Sequence, residues 1–599
     1  MPSLRSRSAA MSASDRSARL TSRRFEGASS AVEQFLTESL GVDAISAVAD
    51  DIIETYRDFG HPFVKGWEFS CDFDGAVVGL RVLLGEDFPF GPPRIGIAEP
   101  HEVRGAHIER ASLLCLPPGQ IVAWDRPADA LGELLAQAEV VVAGALAGDG
   151  GADETRREII AYWARDRTHG IARGFLDPAG GSRRIFRFDD GKRIQLFDNR
   201  GSAKDYIKKS GGRLKPTQFG KAAFLVRLAL PPRVTELPKD VGDLARLLLD
   251  QGGTDLDELA RLLAKEKATI VLAFADENGH GFIGVEVPKL SYQRDAPLQL
   301  AFITARDKAQ PVARLRIVRG DPDWIFGRDG NPDVAALQTK SVVMIGAGSL
   351  GSYIAQQLAS SGVGTIRILD PEILVFENIS RHILGTEAVG TFKAEALALR
   401  LQRQFRTSDI KGQAVRWQEW IARNKDALND ADLVITTIGD WAQEVHLADY
   451  LQNNPGDVAA MFAWLEPHAI AAHAIMLRGP QPCFCCGFDT QAELNRRMSD
   501  WPRPTRREIP LCGGHFQPYG ATALCGHAAA IAETAIKFLL ERVEAPAHLL
   551  RSAGDPAAFG GSWRDWWTEA SGGRDTDHRQ MLLPWPQKDG CPMCAAPPC

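Results

Sequence analysis

Two groups of residues in this 599-residue chain could do chemistry: a glycine turn and ten cysteines. The segment Val342–Gly351 reads VVMIGAGSLG, in which a β-branched run ends in Gly346, Gly348 and Gly351, and Tyr353–Ser360 then has the composition of a helix. A chain that turns from strand to helix over a surface without Cβ atoms aims free N–H groups and the positive helix end at an anion, so this turn suits a phosphate. Thr365–Asp370 (TIRILD) is expected to be the next parallel strand, placing Asp370 where a carboxylate accepts hydrogen bonds from ribose hydroxyls. By themselves these features describe a generic nucleotide site, an NAD-dependent oxidoreductase included.

The cysteines are Cys71, Cys115, Cys483, Cys485, Cys486, Cys512, Cys525, Cys591, Cys594 and Cys599. With no secretory signal read at the start of the chain, metal binding and catalysis are expected of them rather than a disulfide framework. Cys483-x-x-Cys486 and Cys591-x-x-Cys594 fit a tetrahedral four-thiolate site for Zn²⁺ that joins this region to the C-terminal tail. Cys485 leaves two readings open: a ligand in place of a neighbour, or a thiol beside the metal. Cys512 is followed by Gly513, Gly514 and His515, a flexible backbone with a base or counter-charge close by, which suits a travelling nucleophile.

The stretch DPEILVFENISRHILGTEAVGTFKAEAL, Asp370–Leu397, resembles the ThiF/MoeB and ubiquitin-activating superfamily: an acidic strand end, Asn-x-x-Arg, then a lysine opening a helix. The resemblance implies that Asn378, Arg381 and Lys393 contact the phosphates of ATP and that Asp440, in TTIGDW, organises Mg²⁺. It also implies a structural zinc, an acyl-accepting cysteine at Cys512 and a homodimer with arginine contacts across its axis. Acyl-adenylate chemistry accounts for the residue types. A carboxylate that attacks the α-phosphorus needs cations to neutralise the oxygens and a metal to assist pyrophosphate departure. Glu372 stands where the superfamily usually has a second Asp.

Near the other end, Trp67–Ile97 alternates apolar and polar residues as strands do and runs into a proline-rich turn. His107, Cys115 within LLCLPPG, Trp124, Asp125 and a helix-like ALGELLAQAEVVV follow. This order, with Phe88, Pro89, Pro92 and Pro93, resembles the ubiquitin-conjugating fold and implies a second thioester on Cys115. Ile108 and Glu109 replace the Pro and Asn that follow the flap histidine in that family, so another donor must stabilise the oxyanion.

Stepping outward to the elements that hold these residues, the chain is 45% hydrophobic and 24% charged with net charge −7, enough to bury several cores and without a basic bias toward nucleic acid. Its longest apolar stretch, Val140–Ala147, is too short to span a bilayer, and a cytoplasmic location is expected. The expected fold class is α/β multidomain. It comprises a disordered start (1–29), an α+β ubiquitin-conjugating-like domain (30–147), a central α/β domain of unassigned role (154–330), and a Rossmann-like ThiF adenylation domain with the zinc site (331–599). The central region is expected to carry helices over Val241–Ala268 and strands at Phe224–Leu230, Thr269–Ala275 and Leu298–Thr304; Gly554–Gly573 is expected to be a loop.

The joined modules resemble the activating and conjugating fusion of bacterial CBASS anti-phage operons. That resemblance implies ATP-dependent activation of a protein C-terminus, transfer through Cys512 and Cys115, and delivery to a lysine, the activated protein being a CD-NTase or a ubiquitin-like protein. A sulfur-carrier activator with an accessory N-terminal domain would not need Cys115. A regulatory nucleotide binder would show no pyrophosphate exchange.

Overall fold

The computed structural model describes residues 23–98, 107–109, 111–116, 124–147, 156, 159–164, 170–209, 219–251, 256–277, 279–290, 309–424, 428–453, 458–508, 515–572 and 578–594. The chain divides into two compact units: most of the chain up to Val318, and Arg319–Cys599 together with Gly174–Leu176 and Phe197–Phe219. Strands and helices both contribute, in a mixed α/β architecture.

In the first unit, Ile45–Ala47, Phe63–Phe73, Ala76–Gly85 and Arg94–Ile97 pair in chain order as an antiparallel sheet. Asp74 (φ 51°) and Gly75 (φ 92°) close the long hairpin between Phe73 and Ala76, the left-handed pair that a two-residue turn of matching twist requires. Alternation sends Trp67, Phe69, Leu80 and Val82 to one face, where helices Phe25–Leu40 and Pro127–Leu146 cover them with Val32, Leu36, Leu131 and Val142. Of the start expected to be disordered, Phe25–Ser29 open a helix, because Phe25 and Ala28 reach this core. Residues 1–22 lie outside the described residues.

Seven strands between Gly170 and Arg319 close into a barrel. Its parallel pair, Phe219–Arg227 with Ala268–Asp276, requires a crossover, and helices Val241–Gln251 and Leu256–Lys265 supply it. The expected strand at Leu298–Thr304 lies outside the described residues.

The second unit is built on an eight-stranded sheet in the order Asp409–Gln413, Thr365–Leu369, Ser341–Ile345, Leu433–Thr436, Ala459–Leu465, Ala471–Leu477, Ala547–Ser552, Gln580–Pro584. The first five strands are parallel and the rest antiparallel. Parallel strands are covered on both faces, so both parities of Ser341–Ile345 are apolar. Val342 and Met344 pack with helices Ser349–Ser360, Lys393–Gln404 and Ala521–Leu539, while Val343 and Ile345 pack with Trp417, Trp420 and Leu447 on the other side. Successive strands step one way from Ser341–Ile345 and then the other way, which opens a crevice at its carboxyl end.

Two local expectations change. The helix after the glycine turn starts at Ser349 rather than Tyr353, so Gly351 is helical and Gly348 is the N-cap. Gly554–Gly573 is not a bare loop: it carries a 3₁₀ turn at Pro556–Phe559 and a helix at Asp565–Ala570, held because Trp567 is fully buried against Met498 and Leu550. No described helix is long and apolar enough to cross a membrane.

Candidate functional site

The three glycines of the turn serve different purposes. Gly346 has φ 101°, and a Cβ there would lie 2.9 Å from Thr437 Oγ1. A Cβ on Gly351 would lie 2.2 Å from the carbonyl oxygen of Gly346, so this glycine permits close packing of helix on strand. A Cβ on Gly348 would meet nothing within 4 Å, and Gly348 faces an open cleft of about 1020 Å³ at the crevice.

Gly346, Asp370, Glu372, Trp417, Gln418 and Asp440 also line this cleft. Asp370 is buried and braces the turn: Oδ2 accepts from Ala347 N at 2.7 Å and Oδ1 from Glu372 N at 2.8 Å. Each oxygen keeps capacity for a second hydrogen bond. Burial pushes its carboxyl above the ordinary value against these N–H groups. Asp440 is exposed and caps helix Trp441–Asn453, with Oδ1 accepting from Gln443 N at 2.9 Å.

Lys393, Asn378 and Arg381 are not among the residues that line this cleft, although Lys393 pairs with the lining Glu372. Lys393 opens its helix, is buried, and pairs with the exposed Glu372 carboxylate at 2.5 Å. Asn378 Oδ1 accepts from Val375 N at 3.2 Å within the 3₁₀ segment Phe376–Arg381. Arg381 donates to Gln517 O at 2.9 Å and lies 4.6 Å over the Tyr519 ring. Gln517 and Tyr519 follow the ribbon of Arg507–Glu508 with His515–Phe516, whose strands flank the segment of sequence holding Cys512. Cys512 itself lies outside the described residues. Cys525 is partly exposed in helix Ala521–Leu539.

Several contributors went unnoticed in the sequence. His382 is buried; its Nδ1 accepts from Leu384 N at 3.1 Å, so Nε2 donates to Ala347 O at 2.7 Å and ties the glycine turn to the Asn-x-x-Arg segment. Burial keeps that ring neutral by lowering its pKa. Trp417 Nε1 and Gln418 Oε1, on cleft-lining residues, are a buried donor and acceptor with no protein partner among the described residues.

A second cleft of about 1610 Å³ shares Gly348, Thr437 and Ile438 with the first and is walled by Trp441, Trp464, Phe484 and Phe488. Glu444 lines it, accepts from Gly439 N at 3.2 Å, and is pushed up to about 8 by burial. Beside it the buried Glu466 accepts from Met498 N at 2.6 Å and Ser499 N at 2.9 Å and meets His473 Nε2 at 2.8 Å, an anchor for that wall. His382 sits next to Arg381 and was within reach of a sequence reading; the others depend on packing.

Cys483, Cys486, Cys591 and Cys594 converge, with all four sulfurs within 4.8 Å of one another. Three of the six separations, Cys483–Cys486, Cys483–Cys591 and Cys486–Cys594, are 3.4–3.8 Å, against about 3.8 Å between the corners of a tetrahedron with Zn–S of about 2.3 Å. The donor set fits zinc, and Cys485 lies outside it. The Cys485 thiol, burial and Cys591 push Cys483 up, while Cys591 is brought down to about 7 because backbone N–H groups of Met593 and Cys594 and neighbouring thiols outweigh its burial. The tail is locked beneath the cluster: Trp585 Nε1 donates to Cys483 O at 2.9 Å, and a Cβ on Gly487 would lie 2.1 Å from the Trp585 ring.

In the first unit Cys115 is exposed at the end of a short hairpin, and its N–H donates to His107 O at 2.6 Å. Phe88 of the proline element is fully buried under the sheet.

Residues 324–554 match the ThiF family and residues 46–170 match Prokaryotic E2 family B. Among curated relatives, the ATP-dependent ubiquitin transferase-like protein Cap2 of Pseudomonas aeruginosa is 25% identical over 252 residues, 41% of this chain and 42% of that one. The protein of the same name from Enterobacter hormaechei is 34% identical over 138 residues, 22% and 23% of the two chains. The chain thus spans less than half the length of these relatives. Escherichia coli MccB, as a crystal structure, is 19% identical over 44% of this chain and 67% of its own, with a TM-score of 0.32.

Proposed function

We propose that this chain is an ATP-dependent transferase that adenylates the C-terminal carboxylate of a protein, takes the acyl group onto Cys512, passes it to Cys115 and delivers it to a lysine. The observation that carries this reading is the pairing of a ThiF domain with an E2-type domain in one chain. The nucleotide turn at the switch point supports it, with Asp440 exposed across the crevice and a second, aromatic-walled cleft opening from the same glycine.

In this reading Gly346, Gly348 and Asp370 seat ATP, and the unpartnered Trp417 donor and Gln418 acceptor complement the edge of a base. Asp440 would hold Mg²⁺, which assists pyrophosphate departure when bound. Lys393, Asn378 and Arg381 supply or orient charge for the phosphates once Lys393 exchanges its Glu372 partner. The second cleft takes the incoming protein tail, and Arg381, through Gln517 and Tyr519, couples the nucleotide side to the segment bearing Cys512. Cys483, Cys486, Cys591 and Cys594 would hold Zn²⁺ as a clamp on the tail. Ile373, Val375, Phe376 and Phe392 form exposed apolar surface on the second unit, suited to a homodimer through the adenylation domain. The names of the curated relatives support a ubiquitin-transferase-like role over a sulfur-carrier activator, and the resemblance to the CBASS fusion makes a CD-NTase in anti-phage defence the proposed activated protein.

The test is ATP–pyrophosphate exchange and thioester trapping with candidate CD-NTase and ubiquitin-like partners. Asp440→Ala abolishes exchange, Cys512→Ala permits exchange but no thioester, and Cys115→Ala stalls at the Cys512 thioester. Conjugation unchanged in Cys115→Ala would refute the second transfer and favour the carrier activator.

A further inference from the structure

Residues 107–109 and 113–115 form a short antiparallel hairpin in the first unit. Ile108 and Leu114 are bridge partners, Glu109 N donates to Leu113 O at 2.6 Å, and Cys115 N donates to His107 O at 2.6 Å. This register sets His107 directly across from Cys115 in the backbone pairing. The neighbouring pair decides which face. Ile108 and Leu114 are both buried in the core between sheet and helices, so Cys115, one step along its strand, turns away from that core, while His107 opposite it departs from the extended conformation. Cys115 is accordingly exposed and His107 half-buried.

His107 also stands at φ 64°, a left-handed conformation that costs free energy for a residue with a Cβ. Such conformations persist where the surroundings over-determine them, and they cluster at reacting sites. Two residues along, Glu109 is tied to Arg94 at 2.7 Å, with His61 4.0 Å from its other oxygen, which braces the strand bearing His107.

Resting on the transfer role of Cys115 given above, we propose that His107 is a catalytic residue of the second transfer: its imidazole accepts the proton released when a lysine amine attacks the Cys115 thioester. The amine nitrogen bonds to the acyl carbon, the carbon–sulfur bond breaks, and the sulfur leaves as thiolate with the electron pair. The proton shed by the nitrogen passes to the ring and from the ring to the thiolate. Thioester and amine thus become amide and thiol with no further reactant. Imidazole suits this exchange because one ring nitrogen can accept a proton and later give it up. Glu109 occupies the place where the conjugating family carries its Asn, and its carboxylate is already taken by Arg94.

The test uses the full chain acetylated on its thiols with phenyl thioacetate. Loss of acetyl from Cys115 is followed by site-resolved peptide mass spectrometry after adding either Nα-acetyl-lysine or hydroxylamine. His107→Gly and His107→Asn both suit the left-handed conformation, so the hairpin is retained. General base catalysis contributes about 10²–10⁴-fold. Discharge to Nα-acetyl-lysine therefore falls at least about tenfold in both variants, discharge to hydroxylamine is unchanged, and added imidazole restores lysine discharge in His107→Gly.

Wild-type lysine discharge in the variants overturns the proposal. Equal losses with both nucleophiles would assign His107 to hairpin structure and overturn it as well, as would failure of Cys115 to take up acetyl. The assay needs neither ATP nor a protein substrate, so its outcome is separate from that of the adenylation assay.

Discussion

Alanine at Gly348 and at Gly351 should produce opposite defects although the two glycines lie three residues apart in one turn. At Gly351 the added Cβ would sit 2.2 Å from Gly346 O and 2.5 Å from Thr437 Oγ1. The first obstacle is backbone at the end of a central strand, and the helix cannot retreat because Ile354 and Leu358 are fully buried. Alanine in an unobstructed helix would stabilise by about 1 kcal/mol over glycine. Overpacking of this kind costs about 1–3 kcal/mol and occasionally more. A contact of 2.2 Å with backbone belongs to the upper part of that range, about 2–3 kcal/mol, so the clash decides the sign and a net loss of about 1–2 kcal/mol is expected. At about 2–4 °C per kcal/mol for units of 150–250 residues, the melting temperature falls by roughly 2–8 °C.

At Gly348 the backbone is extended (φ −76°, ψ −160°) and no atom lies within 4 Å of the new Cβ. Folding stability should stay within about 1 kcal/mol of the parent, the modest cost of alanine at an N-cap. The methyl group instead occupies the surface that a phosphate must approach, so ATP affinity falls about tenfold or more, equivalent to about 1.4 kcal/mol. Thermal unfolding without nucleotide and calorimetric titration with Mg-ATP measure the two effects separately. Unchanged ATP affinity in Gly348→Ala would mean that the phosphates do not rest on this turn. An unshifted melting temperature in Gly351→Ala would mean that the contact between helix and strand does not constrain this position.

Three further outcomes are expected. Metal analysis should give about one zinc per chain, lost with thermal stability in Cys591→Ser and kept in Cys485→Ser; zinc-free protein of full stability would refute the cluster. Glu444, with its pKa raised from 4.5 to about 8 in the folded chain, binds more protons folded than unfolded between those values. Stability therefore declines as pH rises from about 4.5 through about 8, and Glu444→Gln should flatten that slope in melting curves; an unchanged slope would mean that the acid is ionised when folded. Phe376, 70% exposed in an apolar patch, should anchor the homodimer, so Phe376→Asp should shift the mass measured by light scattering to that of one chain.

The legibility of the site followed distance along the chain. Gly346, Gly348, Asp370 and Asp440 could be read because each sits at a strand end next to its own short motif, and all four line the crevice. The clustering of Cys483, Cys486, Cys591 and Cys594 was legible as two spaced pairs, although 108 residues separate Cys483 from Cys591, because the spacing within each pair is local. His382 could have been read from its place beside Arg381, but its task, bridging Ala347 O, depends on a contact 35 residues away. Glu444 reads in sequence as an ordinary acid on an amphipathic helix. It is burial by surrounding elements that leaves it at about 8.

The sequence by itself determined the chemistry available: which segments could hold phosphate, metal or an acyl group, since these depend on residue type and on spacings of a few positions. It also determined the continuous apolar run Val342–Ile345 that demands cover on both faces. Only the tertiary structure decided that strand order reverses beside that strand, that the three glycines divide into a left-handed turn, an open approach and a tight packing contact, and that Cys115 faces His107 across a hairpin. Those outcomes are set by which distant surfaces exclude water together. That free energy is shared over the whole core and is written in no single motif.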